Sequence, residues 1–383
     1  MTTPTSPALD PIELHRRLQG KLAVVSKTKL TPETLAALYT PGVGEVCREI
    51  ADHPDMATTL TLKGRSVAVV SDGSAVLGLG NIGPLGALPV MEGKAILFKD
   101  LGGLDAWPIV LSTQNVDEIV AAVTAIAPTF GAINLEDISA PRCYEVEERL
   151  QEALDIPVMH DDQHATAIVA LAGLINAAKV VAKDLRACRV VVVGAGAAGS
   201  GLFRLLVDYG VTDVVLTDSK GIVEPTRTNL DAYKQRWAQL GNPRQLTGDV
   251  GVALAGADIV IGVTVPGAFT AAHIKTMASQ PIVFALANPT PEIMPDAAIA
   301  AGAAVVATGR SDYANQINNV LVFPGLFKGL LAHNAPAVTT AIKLACAAAL
   351  ADLIPQPTAD QIIPSALDPR VAPTVAAAVG SSL

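Results

Sequence analysis

The stretch from Val190 to Asp218 constrains this chain more than any other. The run Arg189–Val193, apolar from Val190 onward, passes directly into Gly194-Ala195-Gly196-Ala197-Ala198-Gly199. In a strand–loop–helix unit of this kind the first glycine permits a tight turn. The second lets a pyrophosphate approach the backbone, and the third lets the helix pack on the strand. The helix then presents free N–H groups and its positive dipole end to the phosphates. Val214–Thr217 reads as the next strand and ends on Asp218, about 20 residues past the glycines, where ribose hydroxyls are expected. A lone G-x-G-x-x-G is a weak signal, and the bland alternative is a glycine-rich turn in an empty doubly wound domain. Here a strand before, a helix after and an acid at the right distance all agree. The six residues Gly194, Ala195, Gly196, Ala197, Ala198 and Gly199, with Asp218, are therefore expected to bind NAD. Asp218 would repel a 2′-phosphate. Lys220 would attract one, although it reads better as a solvated loop lysine, so NADP stays open.

Around this unit the pattern is of strands alternating with helices. Strands are expected near Val190–Val193, Val214–Thr217, Ile259–Val263, Ile282–Leu286 and Ala304–Ala307, with helical stretches between the first four. That alternation predicts a parallel, doubly wound α/β sheet. A chain of 383 residues is too long for one ordinary domain. Before the nucleotide unit, Val67–Val70, Ala132–Leu135 and Ile156–Met159 read as further strands. An Ala-rich helix from about Ala165 to Ala182 reads as the connector.

At the N-terminal end, Asp10, Pro11 and Glu13 spell a helix start, and Leu14, Leu18 and Leu22 follow at helical spacing. A second helix begins at Thr31-Pro32 and ends near Tyr39, before Pro41-Gly42. Small residues dominate from Asp72 to Gly86, where the backbone must turn tightly or approach something closely. Asn115 with Glu118 caps a helix that Pro128 ends.

The net charge of −9 disfavours a nucleic-acid partner. Four scattered cysteines form no C-x-x-C pair, which reads as reduced thiols. Met1–Leu9 lacks a basic start followed by an apolar core, so it is not read as a signal peptide. No apolar run suits a membrane span. The expectation is a cytoplasmic protein without a membrane or nucleic-acid partner.

Two acid pairs stand at expected strand ends, Glu136-Asp137 and Asp161-Asp162. Oxygen ligands without His or Cys suit Mg²⁺ or Mn²⁺. Neighbouring residues on a regular strand point to opposite faces. Glu136 and Asp137 can therefore share an ion only where the strand frays into the Ile138-Ser139-Ala140-Pro141 loop. Taken alone, each pair reads as structural, with Asp162 capping the next helix. His160 and His164 read as hydrogen-bonding residues rather than ligands.

The chain resembles malic enzymes of the short bacterial type over nearly its whole length. The matching runs are Tyr39-Thr40-Pro41-Gly42-Val43, Ser71-Asp72-Gly73, Leu77-Gly78-Leu79-Gly80-Asn81 and Glu92-Gly93-Lys94. They continue with Asn134-Leu135-Glu136-Asp137, His160-Asp161-Asp162-Gln163-His164, the nucleotide loop, Asn288-Pro289, Asn318-Asn319-Val320 and Phe323-Pro324-Gly325. The resemblance implies an N-terminal α/β substrate and metal domain over residues 1–162. It places a Rossmann-like nucleotide domain with C-terminal helices over residues 163–383, and it implies a homodimer or dimer-based assembly.

By the same resemblance Glu136, Asp137 and Asp162 are similar to metal ligands. Lys94 is similar to the general base, Tyr39 to the general acid and Asp161 to a carboxylate beside the base. Asn288 and Asn319 resemble residues touching substrate or nicotinamide. Ala75 stands where larger relatives carry an arginine for the substrate carboxylate. Ser74, Asn81 and Asn319 are candidates to replace it.

The implied activity is oxidative decarboxylation of L-malate to pyruvate and CO₂ with reduction of NAD or NADP. A lysine base must be neutral, so the site has to lower the pKa of Lys94 from about 10.4. Tyr39 would protonate C3, and it is expected to serve either its own or a neighbouring subunit's site. An oxaloacetate decarboxylase or a malolactic enzyme is the alternative on the same scaffold. Without the resemblance, Tyr39 reads as packing, Lys94 as surface and Asn288 as a turn residue.

Overall fold

The computed structural model describes residues 10–383, so the Met1–Leu9 start lies outside the described residues. Two sheets carry the fold. The first holds β1 (Ser66–Ser71), β2 (Asp105–Val110), β3 (Ala132–Leu135) and β4 (Val158–His160) in the order β2-β1-β3-β4. Every pairing is parallel. Parallel neighbours need crossovers, and helices Gly83–Leu97, Val116–Ile126 and Arg142–Ala153 supply them. The continuous apolar run Val67–Val70 is fully buried, as a parallel strand covered on both faces requires.

The second sheet holds β5 (Arg189–Val193), β6 (Asp213–Asp218), β7 (Gly221–Ile222), β8 (Ile259–Gly262), β9 (Ile282–Ala285) and β10 (Val305–Thr308). Its order is β10-β9-β8-β5-β6-β7, and only the short edge strand β7 runs antiparallel. The strands expected from the sequence are all present. Helix Pro295–Ala300 adds a crossover between β9 and β10 that the pattern did not suggest. The order reverses between β5 and β8, which makes the crevice at their carboxyl ends the ligand position of a doubly wound sheet.

Helix Asp161–Val180 links the sheets and is buried along most of its length. It starts at Asp161 rather than near Ala165, so both aspartates lie on its first turn. It packs closely on helix Ala197–Tyr209, where a Cβ on Gly201 would come 2.2 Å from the Gln163 carbonyl oxygen. The chain's later helices return to the first sheet. Phe98 lies 4.8 Å from Phe323 and 5.3 Å from Phe327, ring centre to ring centre. All three rings are fully buried, and truncating such a side chain costs about 3–5 kcal/mol.

The first helix, Pro11–Leu18, is capped by Asp10, whose side chain accepts from the Ile12 and Glu13 N–H groups. It stops before Leu22, because Gln19 and Gly20 take positive φ values of 54° and 107° and end it in the left-handed conformation. Helices Pro32–Leu38 and Val43–Asp52 follow. None of these three helices buries a residue within the chain.

Candidate active site

The parallel pairing of β3 with β4 sets Leu135 opposite His160. The chain therefore leaves both strands at one edge, and the two acid pairs emerge side by side. Asp137 has φ = 54°, a left-handed conformation that costs energy for a residue with a Cβ. That turn breaks the alternation of the strand and brings Glu136 and Asp137 to the same side. Two backbone bonds hold it: Ala75 N–H donates to the Asp137 carbonyl at 2.9 Å, and Asp137 N–H donates to Asp162 Oδ2 at 2.9 Å. Asp162 therefore does not cap its own helix. Its side chain turns back to the opposite loop.

Oxygens of Glu136, Asp137 and Asp162 lie within 4.8 Å of one another. Glu136 and Asp137 are buried, and Asp137 Oδ2 has no hydrogen-bond partner. Burial, followed by the Asp162 charge, pushes Asp137 up to about 7. Burial drives Glu136 well above the usual carboxylate range against the pull of Lys94. Asp162 is desolvated too, yet a contact with His160 at 3.2 Å holds it low. Three crowded carboxylates with an unpartnered oxygen are costly on their own. A hard divalent cation fits such a donor set.

Lys94 comes from helix Gly83–Leu97, whose first residues, 83–86, belong to the stretch expected to turn tightly or approach something closely. Its Nζ lies 2.8 Å from Asp161 Oδ2 and 2.9 Å from Glu136 Oε1. It also sits 4.3 Å from the centre of the Phe323 ring, a cation–π contact in a desolvated setting. Asn319 Nδ2 donates to the same Asp161 oxygen. Burial pulls the Lys94 ammonium down, but the Asp161 and Glu136 charges outweigh it and hold its pKa above the ordinary lysine range. Burial acts in the expected direction, and the two carboxylates act against it.

Glu147, on helix Arg142–Ala153, went unnoticed in the sequence. Its carboxylate accepts from His160 N–H at 2.7 Å and from Gln163 Nε2 at 2.9 Å, and it meets His164 Nε2 at 3.0 Å. It pins both ends of the Asp161-Asp162 turn. The paired His164 holds Glu147 down to about 2 despite burial. His164 itself is pushed down to about 4 by burial. His164 is thus a hydrogen-bonding support through its ring, whereas His160 contributes its backbone N–H and neither of its ring nitrogens has a hydrogen-bond partner.

A cleft of about 680 Å³ gathers Lys94, Glu136, Asp137, Asp162, Asn288 and Asn319. Asp161 lies behind it, fully buried. A second cleft of about 800 Å³ lies along Gly194, Ala195, Gly196 and Asp218. Val263 and Thr264 line both, and Ala198 faces the first. The turn needs its glycines: Gly194 has φ = 114°, and a Cβ on Gly199 would stand 1.7 Å from the Gly194 oxygen.

The expectations for Asp218 and for the missing arginine change, and of the two open to Tyr39 its own cleft loses support. Asp218 is not a free ribose acceptor, because Arg227 grips both of its oxygens at 2.9 and 3.2 Å and Lys234 Nζ sits at 3.0 Å. Tyr39 is 69% exposed and lies outside the cleft of its own chain. Two stand-ins for the missing arginine are engaged elsewhere. The Ser74 hydroxyl donates to Asp72 and accepts from Ser139 N–H, and Asn81 pairs with Gln114 at the surface.

A doubly wound nucleotide unit opening beside an acid-lined cleft with a buried lysine defines a dinucleotide-dependent oxidoreductase. The family model of the malic enzyme NAD-binding domain matches residues 164–382, and that of the malic enzyme N-terminal domain matches residues 16–116 and 112–151. The chain belongs to the malic enzyme family. It is 49% identical over 375 residues to the bifunctional malic/malolactic enzyme of Bacillus subtilis, covering 97% of this chain and 92% of that one. It is 51% identical over 363 residues to the NAD-dependent malic enzyme of Geobacillus stearothermophilus, covering 94% and 76%. The crystal structure of the NAD-dependent malic enzyme of Thermotoga maritima superposes with a TM-score of 0.95 at 46% identity, covering 98% of this chain and all of that one. No helix among the described residues is long and apolar enough to cross a membrane.

Proposed function

We propose that the chain oxidatively decarboxylates L-malate to pyruvate and CO₂, reducing NAD or NADP, with Mg²⁺ or Mn²⁺ held by Glu136, Asp137 and Asp162. The observation that carries this reading is Lys94, buried against Asp161 at the edge of a three-carboxylate cleft that shares Val263 and Thr264 with the nucleotide cleft. The ion, when bound, supplies positive charge that polarises the substrate's hydroxyl and carboxylate and offsets the anionic field holding the proton on Lys94. Lys94 Nζ accepts the C2 hydroxyl proton as hydride passes to the nicotinamide. Asp161, fixed by Asn319, orients that nitrogen and receives its positive charge. Asn288 and Asn319 bind substrate or the nicotinamide end. The glycine loop from Gly194 to Gly199, including Ala197, seats the pyrophosphate.

In this reading residues 1–162 form the substrate and metal domain, and residues 163–383 form the nucleotide domain. The enzyme works in the cytoplasm as a homodimer. Tyr39 then protonates C3 in a partner's cleft. Its exposure, on helices that bury nothing within their own chain, supports that placement.

A malolactic reaction would use the same site, and one relative bears that activity in its name. Initial rates with L-malate and Mn²⁺ separate the two. The expected result is equal release of CO₂ and reduced nicotinamide; CO₂ and lactate without net reduced nicotinamide would overturn the oxidative reading.

A further inference from the structure

We propose that Lys21 binds the second carboxylate of a dicarboxylic 2-hydroxy acid and so selects dicarboxylates over monocarboxylates. The inference rests on the substrate reading above and names the group that stands in for an arginine at Ala75.

Lys21 follows the helix Pro11–Leu18 and lines the acidic cleft. Among the residues lining that cleft, Lys21 and Lys94 are the cationic side chains. Lys94 is committed to Asp161 and Glu136. Lys21 is not paired with a carboxylate: its Nζ donates one bond, 2.6 Å long, to the Pro89 carbonyl oxygen. An ammonium has three donors, so two remain for a ligand.

Its position is also fixed. Lys21 N–H donates to Glu92 Oε2 at 3.3 Å, and Nζ sits 3.7 Å from the place a Cβ on Gly93 would take. The cation is therefore held against helix Gly83–Leu97 about one turn before Lys94. A four-carbon diacid engaged at Lys94 by its hydroxyl and at the three carboxylates through a metal ion leaves its far carboxylate in need of a positive partner. The other candidates cannot supply one. Ser74 and Asn81 are engaged elsewhere, and Asn319 is neutral and already donates to Asp161.

L-malate and L-lactate share the hydroxyl and adjacent carboxylate and differ in the second carboxylate, so the pair isolates this contact. The test uses the full-length enzyme with saturating nucleotide and Mn²⁺. Lys21→Met is expected to raise the KM for malate about tenfold or more, while the inhibition constant of lactate and the KM for nucleotide stay within about twofold. Lys21→Arg is expected to recover most of the malate affinity. An unchanged malate KM in Lys21→Met, or a parallel weakening of lactate, overturns the assignment. Calorimetric titration of malate into the Mn²⁺-loaded protein provides a readout independent of turnover. If the unmodified enzyme fails to oxidise malate, the proposed reaction falls. The assignment of Lys21 then stands or falls on whether the variant loses dicarboxylate binding.

Discussion

Lys94 Nζ and Asp161 Oδ2 lie 2.8 Å apart, although their Cα atoms belong to different helices and 67 positions separate them in the chain. The pair is buried, with Lys94 7% and Asp161 0% exposed at the side chain. Breaking a buried pair by removing one partner leaves a desolvated charge behind, at a cost of about 3–5 kcal/mol unless the carboxylate takes up a proton.

Lys94→Met is therefore expected to bind NADH with nearly unchanged affinity, because the glycine loop lies on the other sheet. Its kcat for malate oxidation should fall by about 10²–10⁴-fold, the usual contribution of a positioned base. Fluorescence titration with NADH and initial rates measure the two halves. Retained turnover would remove Lys94 from the role of base.

The metal-binding carboxylates make a pH-dependent prediction for the metal-free protein. Asp137 is raised to about 7 and Glu136 is raised as well. The folded state therefore binds protons that the unfolded chain has already released. The resulting stability is fully present below the ordinary carboxylate pKa and is lost as pH rises through about 7. Mg²⁺ or Mn²⁺ offsets the repulsion that appears at high pH. The rise in melting temperature on adding Mn²⁺ is expected to be larger at about pH 8 than at about pH 5.5. Asp162→Asn, which can still accept from Asp137 N–H, should fold but lose most of that rise. Equal shifts in the variant would contradict the ligand assignment.

At the nucleotide cleft, Lys234 lies where it touches Asp218 and also lines the cavity. Lys234→Ala is expected to weaken NADP about five- to tenfold more than NAD, since a 2′-phosphate gains more from the ammonium than a hydroxyl does. Comparing the KM values for the two nucleotides checks this. An equal effect on both would leave Lys234 as support for Asp218 alone.

Tyr39 supplies a test of the dimer. Lys94→Met and Tyr39→Phe are each expected to lose most activity. If Tyr39 serves the partner's cleft, a mixed dimer holds one intact site, and mixing the two variants should restore roughly a quarter of normal activity. No recovery in mixtures whose exchange is verified by mass would place Tyr39 outside the partner's site.

Much of the architecture was legible because its signals are local. The run Arg189–Val193, the three glycines and the strand ending at Asp218 obey short-range rules of turn geometry and periodicity, and the expected strands of the second sheet stand where those rules put them. Helix Gly83–Leu97 was not legible, since Gly83, Gly86 and Pro89 are poor helix formers and packing against the first sheet decides its state. The same is true of the helix start at Asp161, four residues earlier than the apolar pattern implied.

The amino-acid sequence by itself determined which groups are available: a phosphate-binding loop, two acid pairs at strand ends, a lysine after Glu92-Gly93 and a tyrosine before Pro41-Gly42. Tertiary structure decided what those groups do to one another. It turned Asp137 into a left-handed bend so that adjacent carboxylates face one way, and it buried Lys94 between Asp161 and Glu136. It also closed Arg227 and Lys234 on Asp218, brought Lys21 to the cleft and left Tyr39 outside the cleft of its own chain. Charge, burial and hydrogen bonding act through distance in space, and residues 21, 94, 136 and 161 become neighbours only when the chain folds.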